Sequence, residues 1–443
     1  MNPEVSVSQQ PRTNIVRVVA ASMAGTTVEW YDFFLYGVAA ALVFPHVFFP
    51  TGNATAATLA SLGTFAVGFL ARPIGGLVFG HYGDRIGRKK LLVLSLLMMG
   101  LSTFAIGLLP SYATVGVLAP VLLVVLRLVQ GFALGGEWGG AVLIVSEHGD
   151  AKRRGFWASW PQAGVPCGNL LATAVLAILA AVQSDADFLS WGWRIPFLLS
   201  GVLVVIGLWI RLTVSESPIF LAAQEKRAKE PVREKAPVLV LLKHNWREVL
   251  IAMGARFAEN VSYYVITAFI LVYLTTGLGL SKSVGLNAVL IASAVHLVAI
   301  PIWGHLSDRF GRRSIYLVGA VGIGVWIFVF FPMLDTKDPV LITVAATVGL
   351  VLHGAMYGPQ AAFFSELFGT RVRYSGASIG YQLASIAAGA LAPLIATALL
   401  KAYGTSFPIS IYVVITCVIT VVAILLSRET RGADLEDRDR VGV

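Results

Sequence analysis

The sequence has very little cysteine: its 443 residues include only Cys167 and Cys417, and both lie within apolar runs. Two cysteines so placed provide neither a disulfide framework nor the thiolate cluster of a structural zinc site. The sequence also lacks a glycine-rich phosphate loop, paired histidine and cysteine ligands, and a nucleophile elbow. These absences exclude the usual signatures of nucleotide hydrolysis, metal catalysis and covalent catalysis, so we predict no enzyme, no metal and no cofactor.

Charged residues are also scarce, at 13% of the chain, whereas 57% of the residues are hydrophobic and the mean hydropathy is +0.78. Soluble domains carry about 25% charged residues, so this composition indicates a polytopic membrane protein. Apolar windows long enough to cross a bilayer as helices, about 20 residues each, recur along the whole chain. We predict twelve transmembrane helices, at 16–44, 57–81, 90–109, 116–146, 157–182, 193–212, 248–276, 286–304, 314–334, 339–367, 376–400 and 407–427.

Basic residues are unevenly distributed among the segments that connect these windows. The net charge of +9 arises mostly from Lys and Arg in the two termini and in alternate loops, such as those at 85–90 and 152–154. Because cytoplasmic loops carry the excess of Lys and Arg, both termini and the loop at 213–247 are predicted to be cytoplasmic. The positive charge therefore reflects membrane topology and gives no indication of nucleic-acid binding.

Three motifs occur twice in the same order. "GHYGDRIGRK" at 80–89 returns as "GHLSDRFGRR" at 304–313, and an E-x6-R pair and a later acid recur with it. The E-x6-R pair is Glu147 and Arg154 in the first copy and Glu366 and Arg373 in the second. The later acid is Glu216 in the first copy and Glu429 in the second. Such repetition indicates two duplicated six-helix units related by an axis along the membrane normal. We predict a cytoplasmic N-terminal tail (1–15), an N-terminal six-helix bundle (16–212), a cytoplasmic linker (213–247), a C-terminal six-helix bundle (248–427) and a cytoplasmic C-terminal tail (428–443).

The repeated G-x-x-x-D-R-x-G-R motif and the E-x6-R pairs resemble those of the major facilitator superfamily, across essentially the whole chain. Within it, "EWYDFFLYG", "RPIGGLVFGHYGDRIGRKK", "LRLVQGFALGGEWGGA" and "SWGWRIPFLLS" resemble the bacterial metabolite:proton symporters, which include permeases for shikimate, α-ketoglutarate, citrate and proline or betaine. The motifs are most like those of the shikimate-type permease. The resemblance implies an all-α integral membrane protein with the major facilitator fold, twelve transmembrane helices in two pseudo-symmetric six-helix bundles, acting as a monomer in the bacterial inner membrane.

Acids and arginines occur in equal number inside the apolar windows, although each costs about 2.5 to 3.5 kcal/mol at the bilayer centre. The equal number suggests neutralising pairs. The helical rise of 1.5 Å per residue places Asp32 and Arg127 both near the midplane. The full set is Glu29, Asp32, Glu137, Glu259, Arg72, Arg127, Arg194 and Arg256.

The stretch "TVEWYDFFLYG" at 27–37 contains two of these acids. In sugar-porter relatives, an aspartate in a similar "YD" of the first helix pairs with an arginine of the fourth helix and takes the coupling proton. The resemblance therefore implies Asp32 as the proton acceptor and Arg127 as its partner and as a substrate contact. The alternative for Asp32 and Arg127 is a static ion pair that only fixes helix packing. Glu29 is the rival proton site or a substrate-facing acid, or else a partner of Arg72 or Arg256.

Arg256, Glu259 and Tyr263 lie on one face of the seventh helix. A planar guanidinium suits a carboxylate, so Arg256 either contacts a substrate anion or forms an intrahelical pair with Glu259. His353 is predicted to serve packing rather than proton transfer. Further substrate-binding candidates are Tyr36, Gln130, Gln162, Asn169, Asn260, Tyr357, Gln360, Tyr381 and Gln382.

The cytoplasmic motifs are predicted to form a gate. Their opposite charges can pair when the cavity faces outward and part when it opens inward, and the alternative is a role in topology and folding alone. The predicted gate consists of Asp84, Arg85, Arg88, Glu147, Arg154 and Glu216 in the first half and Asp308, Arg309, Arg312, Glu366, Arg373 and Glu429 in the second.

These features favour a secondary transporter that takes up a small organic acid together with a proton by alternating access. Its expected partners are the organic acid, protons and the lipid bilayer. A symporter of a zwitterionic solute such as proline or betaine is the first alternative. An efflux antiporter is the second, and it is disfavoured by the symporter-like motifs of helices one and four.

Overall fold

The computed structural model describes residues 15–50, 52–86, 88–135, 137–148, 150–213, 245–369 and 373–433. Within these ranges the chain is helical and contains no strand. Each predicted window overlaps one long helical run. The runs are α1 (Ile15–Leu42), α2 (Ala54–Ile86), α3 (Arg88–Leu108), α4 (Leu118–Gly135 and Glu137–His148), α5 (Arg154–Val182), α6 (Arg194–Thr213), α7 (Trp246–Tyr264, Val265–Phe269, Ile270–Val272 and Tyr273–Gly277), α8 (Lys282–Phe310), α9 (Arg312–Asp335), α10 (Pro339–Leu367), α11 (Arg373–Ala384, Ser385–Ala390 and Ala392–Tyr403) and α12 (Phe407–Leu426).

Most of these helices have the length and composition of membrane spans. Among the described residues nine qualify, and ten do if Asp185–Gly192 and Arg194–Ile210, which meet at a bend of 42°, form one span. The apolar part of α3, Val93–Leu108, is shorter. α1 has Glu29 and Asp32 in its middle, and these acids lower its hydropathy. The two described helices that do not qualify as spans are therefore α3, which is short, and α1, which carries two acids.

Helices α7 and α11 are interrupted by π-helical turns, at Val265–Phe269 and Tyr273–Gly277 in α7 and at Ser385–Ala390 in α11. A π turn adds a residue to the helical turn and often occurs at functional sites. In α11 the interruption begins at Ser385, whose hydroxyl accepts a hydrogen bond from Arg256 of α7. The two irregular helices thus meet at a residue that the sequence predicts to bind substrate.

Small residues bring α1 and α5 into close contact. A Cβ atom at Gly168 of α5 would lie 2.6 Å from the backbone nitrogen of Tyr31, and one at Gly164 would lie 2.9 Å from the carbonyl oxygen of Met23. The backbones can approach this closely because neither glycine has a side chain. This contact sets the position of the segment of α1 that contains Asp32.

The two halves of the chain meet along the middle of the molecule. Asn169 of α5 donates a hydrogen bond to Ser293 of α8 over 3.1 Å. Nearby, Trp138 of α4 stacks on Tyr381 of α11 with ring centroids 3.9 Å apart. These contacts place polar and aromatic side chains of both halves side by side in the middle of the molecule.

Candidate functional site

The residues predicted to bind proton and substrate lie in the centre of the molecule, and all of them are buried. None has more than 5% of its surface exposed, so the site is closed to solvent in this structure. The group comprises Glu29, Asp32, Tyr36, Arg127, Gln130, Gln162, Arg256, Glu259, Asn260, Tyr263, Tyr357, Gln360, Tyr381 and Gln382.

Asp32 faces α3 and α6. Its Oδ1 accepts a hydrogen bond from the Ser200 hydroxyl of α6, and Thr103 of α3 lies beside the same carboxylate. Its Oδ2 has no hydrogen-bond partner. Within the described part of the chain, the predicted ion pair with Arg127 is therefore not formed.

Arg127 is hydrogen-bonded to neutral groups instead. One NH group donates to Gln130 Oε1 over 3.0 Å, and Gln130 donates in turn to the Thr103 hydroxyl over 2.8 Å. Its guanidinium carbon lies 4.2 Å from the Tyr36 ring centroid and 4.6 Å from that of Phe33, while Nε and the second NH group have no hydrogen-bond partner. The charge of Arg127 is therefore held by aromatic faces, and two of its nitrogen atoms have no hydrogen-bond acceptor.

Arg72 of α2 has the same environment, although the sequence predicts it only as a possible partner of Glu29. It is 1% exposed, its guanidinium carbon lies 4.0 Å from the Phe69 ring centroid and 4.4 Å from that of Phe33, and its Nε and one NH group have no hydrogen-bond partner. Because Arg127 lies 4.6 Å from the same Phe33 centroid, the two guanidinium carbons are at most about 9 Å apart. The described residues provide no ion pair to either arginine.

Arg256 has most of its donors satisfied. One NH group lies 2.9 Å from both Glu259 Oε2 and Gln360 Oε1, and the other donates to the Ser385 hydroxyl over 3.1 Å. The Asn260 amide oxygen, in the orientation that satisfies both groups, accepts from the same arginine at 2.9 and 3.1 Å. Of the two predicted roles, the intrahelical pair with Glu259 is the one formed in this closed state.

Glu259 also contacts a histidine pair. Its Oε1 lies 3.2 Å from His353 Nε2, and His353 Nδ1 lies 3.0 Å from His296 Nε2. His353 packs against the Tyr263 ring with centroids 5.0 Å apart, in line with the predicted packing role. It also contacts two titratable groups, Glu259 and His296. The sequence did not single out His296, because a lone histidine within an apolar window is seldom a functional signal.

The remaining candidates mostly make contacts between helices. Tyr36 donates to Thr64 over 2.7 Å, Gln162 accepts from Trp138 over 2.9 Å, and Gln382 donates to the Gly135 carbonyl over 3.1 Å. By contrast, the hydroxyls of Tyr263 and Tyr357 have no hydrogen-bond partner. A small cavity between the two halves is lined by Glu29, Arg72, Gln162, Tyr381 and Gln382, among others. Glu29 and Arg72 therefore face one space.

The predicted gate residues meet across the two halves at the predicted cytoplasmic end. Arg154 of α5 forms an ion pair of 3.1 Å with Glu366 of α10, and Arg312 of α9 approaches the same carboxylate at 3.1 Å. Asp308 of α8 accepts hydrogen bonds of 2.8 Å from the backbone amides of Gly155 and Phe156. A carboxylate is favourable at this position because the N-terminal end of α5 carries unpaired amides and a partial positive charge.

The segment after α12 strengthens this closure. Glu429 accepts hydrogen bonds from the backbone amides of Arg312 and Arg313, and the Thr430 hydroxyl donates to Glu366 over 2.8 Å. Arg309 takes part through its carbonyl oxygen, which accepts from Arg431, while Arg373 donates to the Phe368 carbonyl oxygen. The side chains of Asp84, Arg85, Arg88 and Glu147, and all of Glu216, lie outside the described residues.

Two known proteins match this chain over nearly its whole length and nearly all of their own. The family model described as "Sugar (and other) transporter" matches residues 17–441. The chain is 43% identical over 424 residues to the inner membrane metabolite transport protein YhjE of Escherichia coli (strain K12), with 95% of each chain covered. It is 40% identical over 419 residues to the shikimate transporter of the same strain, with 94% of this chain and 95% of the relative covered.

A solved structure shows the same fold. The major facilitator superfamily proton:xylose symporter XylE of E. coli, bound to 6-bromo-6-deoxy-D-glucose, matches with a TM-score of 0.76 and 19% identity, over 97% of this chain and 99% of that one. At this identity the likeness shows the fold alone. It confirms the predicted all-α major facilitator fold.

Proposed function

The chain belongs to the sugar (and other) transporter family of the major facilitator superfamily, and we propose that it takes up a small organic acid together with a proton by alternating access. Membership in this family makes it a multi-pass membrane transporter and not an enzyme. We further place it in the bacterial inner membrane as a monomer with both termini cytoplasmic. It needs no cofactor, and the coupling ion is H⁺.

The pair Arg72 and Arg127 is the observation that carries this proposal. Both side chains are at most 1% exposed, both face the Phe33 ring, and each has two nitrogen atoms without a hydrogen-bond acceptor. A buried cation is expensive unless an anion or several acceptors compensate it. A carboxylate offers two oxygen atoms to such planar donors, so an acidic substrate is the ligand that completes this site.

Asp32 is the proposed proton carrier. It is 1% exposed, one of its oxygen atoms has no hydrogen-bond partner, and no cation neutralises it among the described residues. Hydrogen bonds from Arg127 through Gln130 reach Thr103, which lies beside Asp32. An anion that binds Arg127 can therefore influence the acid without a direct ion pair.

The test is uptake of labelled organic acids and zwitterions into proteoliposomes, with and without a pH gradient. A proton that enters down a potential of 100 mV supplies about 2.3 kcal/mol, but a monoanion that travels with one proton moves no net charge. Uptake of a monocarboxylate should therefore follow the pH gradient. Gradient-driven uptake of betaine or proline alone supports the zwitterion alternative, and stimulation by the opposite gradient supports efflux.

The variant Asp32→Asn should keep exchange of the transported acid across the membrane and lose its accumulation against a gradient, because exchange needs no net proton movement. Asp187→Asn, in the short exposed helix Asp185–Asp187, is the control and should accumulate the acid normally. Undiminished accumulation by Asp32→Asn would assign the proton to Glu29 or another group.

A further inference from the structure

A chain of buried titratable side chains runs through the C-terminal half, away from Asp32. Glu259 of α7, His353 of α10 and His296 of α8 are each at most 4% exposed. Successive members are hydrogen-bonded at 3.2 and 3.0 Å. The proposed function gives the histidine pair no role, although two adjacent imidazoles and a carboxylate form a path that protons can follow.

The hydrogen-bond roles determine which nitrogen atoms carry protons. An ionised carboxylate only accepts, so His353 Nε2 is protonated and donates to Glu259. In neutral His353 the other nitrogen accepts, so His296 donates to it from Nε2. His296 Nδ1 is then an unprotonated nitrogen, and it has no hydrogen-bond partner. One end of the chain is therefore open to a proton, and the other end is the carboxylate that holds Arg256.

We propose that His296 and His353 form a proton relay to Glu259, and that the arrival of the proton frees Arg256 to bind the substrate carboxylate. A proton binds His296 Nδ1, the Nε2 proton of His296 moves to His353 Nδ1, and the Nε2 proton of His353 moves to Glu259. Both imidazoles end neutral in the opposite tautomer. The net change is one proton gained by Glu259.

The partners of Arg256 explain why this proton matters. Glu259 is the acid in contact with it, at 2.9 Å, while Gln360 and Ser385 are neutral and Tyr381 presents its ring face at 3.4 Å. A neutral Glu259 removes the negative charge that contacts the buried guanidinium, so the affinity of Arg256 for an anion rises. By linkage, the anion then holds the proton on Glu259 equally strongly. The inference rests on the proposed function in one respect, that the cargo is an acid.

The surroundings of the histidines supply few other charges. From α7 they are faced by Glu259 and by Tyr263, whose ring centroid lies 5.0 Å from His353 and 6.0 Å from His296, with Arg256 behind Glu259. From α10 the Tyr357 ring lies 5.4 Å from His353. From α5 the neutral Asn169 contacts Ser293, one turn before His296. Because that contact joins the two halves, parting them there opens a route to His296 Nδ1.

The first test needs no substrate. The ring-nitrogen NMR signals of the purified protein are followed against pH in the wild type and in Glu259→Gln, with His296→Gln and His353→Gln to assign the two relay signals and His46→Gln, at an exposed position, as the assignment control. If a proton reaches Glu259, both imidazoles of the wild type change from the tautomer protonated at Nε2 to the one protonated at Nδ1 as the pH falls, and Glu259→Gln lacks this change. Imidazoles that keep one tautomer at every pH, or a change that persists in Glu259→Gln, overturn the proposal.

The second test measures the half-saturation constant of the acid that responds most strongly to the pH gradient. In the wild type this half-saturation constant should rise by up to about tenfold per pH unit above the pH at which Glu259 loses its proton, as one linked proton requires. Glu259→Gln should weaken this dependence to the part that Asp32 contributes, because a neutral glutamine leaves Arg256 free at every pH. An unchanged pH dependence in Glu259→Gln overturns the inference.

The two proposals can fail separately. If no acid responds to the gradient in the wild type, the proposed symport is wrong, and the NMR signals of the two imidazoles still decide whether the relay takes up a proton. If Glu259→Gln does not fold, the transport profile of His353→Gln takes its place, with the same weakening of the pH dependence expected. A wild-type profile in His353→Gln overturns the relay.

Discussion

At the scale of single residues, the arginines of the first half differ from the arginine of the second half. Arg72 and Arg127 have aromatic neighbours and unfilled donors, whereas Arg256 has an acid and several acceptors. The first two are therefore available to an anion in the closed state, and the third becomes available only when Glu259 changes. On the proposed function, one molecule thus contains an anion site that is always available and one that depends on Glu259.

Arg72→Lys should raise the half-saturation constant of the transported acid about tenfold or more, since charge-assisted hydrogen bonds contribute roughly 1.5 to 3 kcal/mol and lysine lacks the planar fork. Initial-rate uptake at several substrate concentrations measures this. Arg194→Lys is the matched control, because Arg194 donates to the backbone carbonyl of Gly107 outside the site. An unchanged constant in Arg72→Lys would remove Arg72 from substrate binding.

The sequence predicted which residues are charged and buried, but not which way they point. Asp32 and Arg127 are both buried, yet Asp32 faces Ser200 and Arg127 faces aromatic rings. Counting acids against arginines favoured ion pairs, and it overlooked that aromatic faces also hold a guanidinium. The rotation of each helix about its axis decides between these outcomes, and hydrophobic periodicity does not fix that rotation in helices buried on most sides.

At the scale of helices, the α1–α5 contact depends on two glycines whose spacing is visible in the sequence. The Gly164 and Gly168 spacing is typical of close helix packing, and both glycines lie against the α1 backbone. The π turns of α7 and α11 had no such signal, because a single added residue per turn leaves the apolar pattern nearly unchanged.

Gly168→Ala should destabilise the protein by about 1 to 3 kcal/mol, because the added methyl group would lie 2.6 Å from the α1 backbone, which cannot yield as a flexible side chain does. Thermal unfolding in detergent measures this. Gly63→Ala in α2 is the matched control: its Cβ would meet nothing within 4 Å, so it should be neutral or stabilising by up to about 1 kcal/mol. Equal melting temperatures for the two variants would contradict the packing argument.

At the scale of the whole molecule, the closed end is held by charges shared between the halves. The repeat suggested two similar sets of gate residues, one in each half, and most of the first set lies outside the described residues. Among the described residues, Arg154 of one half pairs with Glu366 of the other, and Asp308 accepts hydrogen bonds from the N-terminal end of α5. Internal symmetry cannot predict such contacts, because they depend on how far the two bundles have closed.

Asp308→Asn should favour opening at this end, since the neutral amide is a weaker acceptor for Gly155, Phe156 and Arg312. A loss of roughly 1.4 kcal/mol would raise the open population about tenfold.

The reporter for this opening is a cysteine introduced at Ser159, which packs against Gly304 between the halves, in a background with Cys167→Ala and Cys417→Ala. Thiol labelling should accelerate several-fold in Asp308→Asn. Asp338→Asn, which removes the charge from the cap of α10, should leave the rate unchanged. Equal labelling rates in all three proteins would mean that Asp308 does not hold the gate.

The Tyr381 ring also has an optical consequence. The Trp138 indole stacks on this ring with centroids 3.9 Å apart, and the Arg256 guanidinium carbon lies 3.4 Å from the ring centroid. An indole of one half and a cation of the other therefore contact one phenol ring. Any separation of the halves at this depth pulls the indole from the ring, and any movement of Arg256 changes the charge behind it. The fluorescence of Trp138 is therefore an intrinsic signal of cargo capture, one that responds to an unlabelled compound before its identity is known.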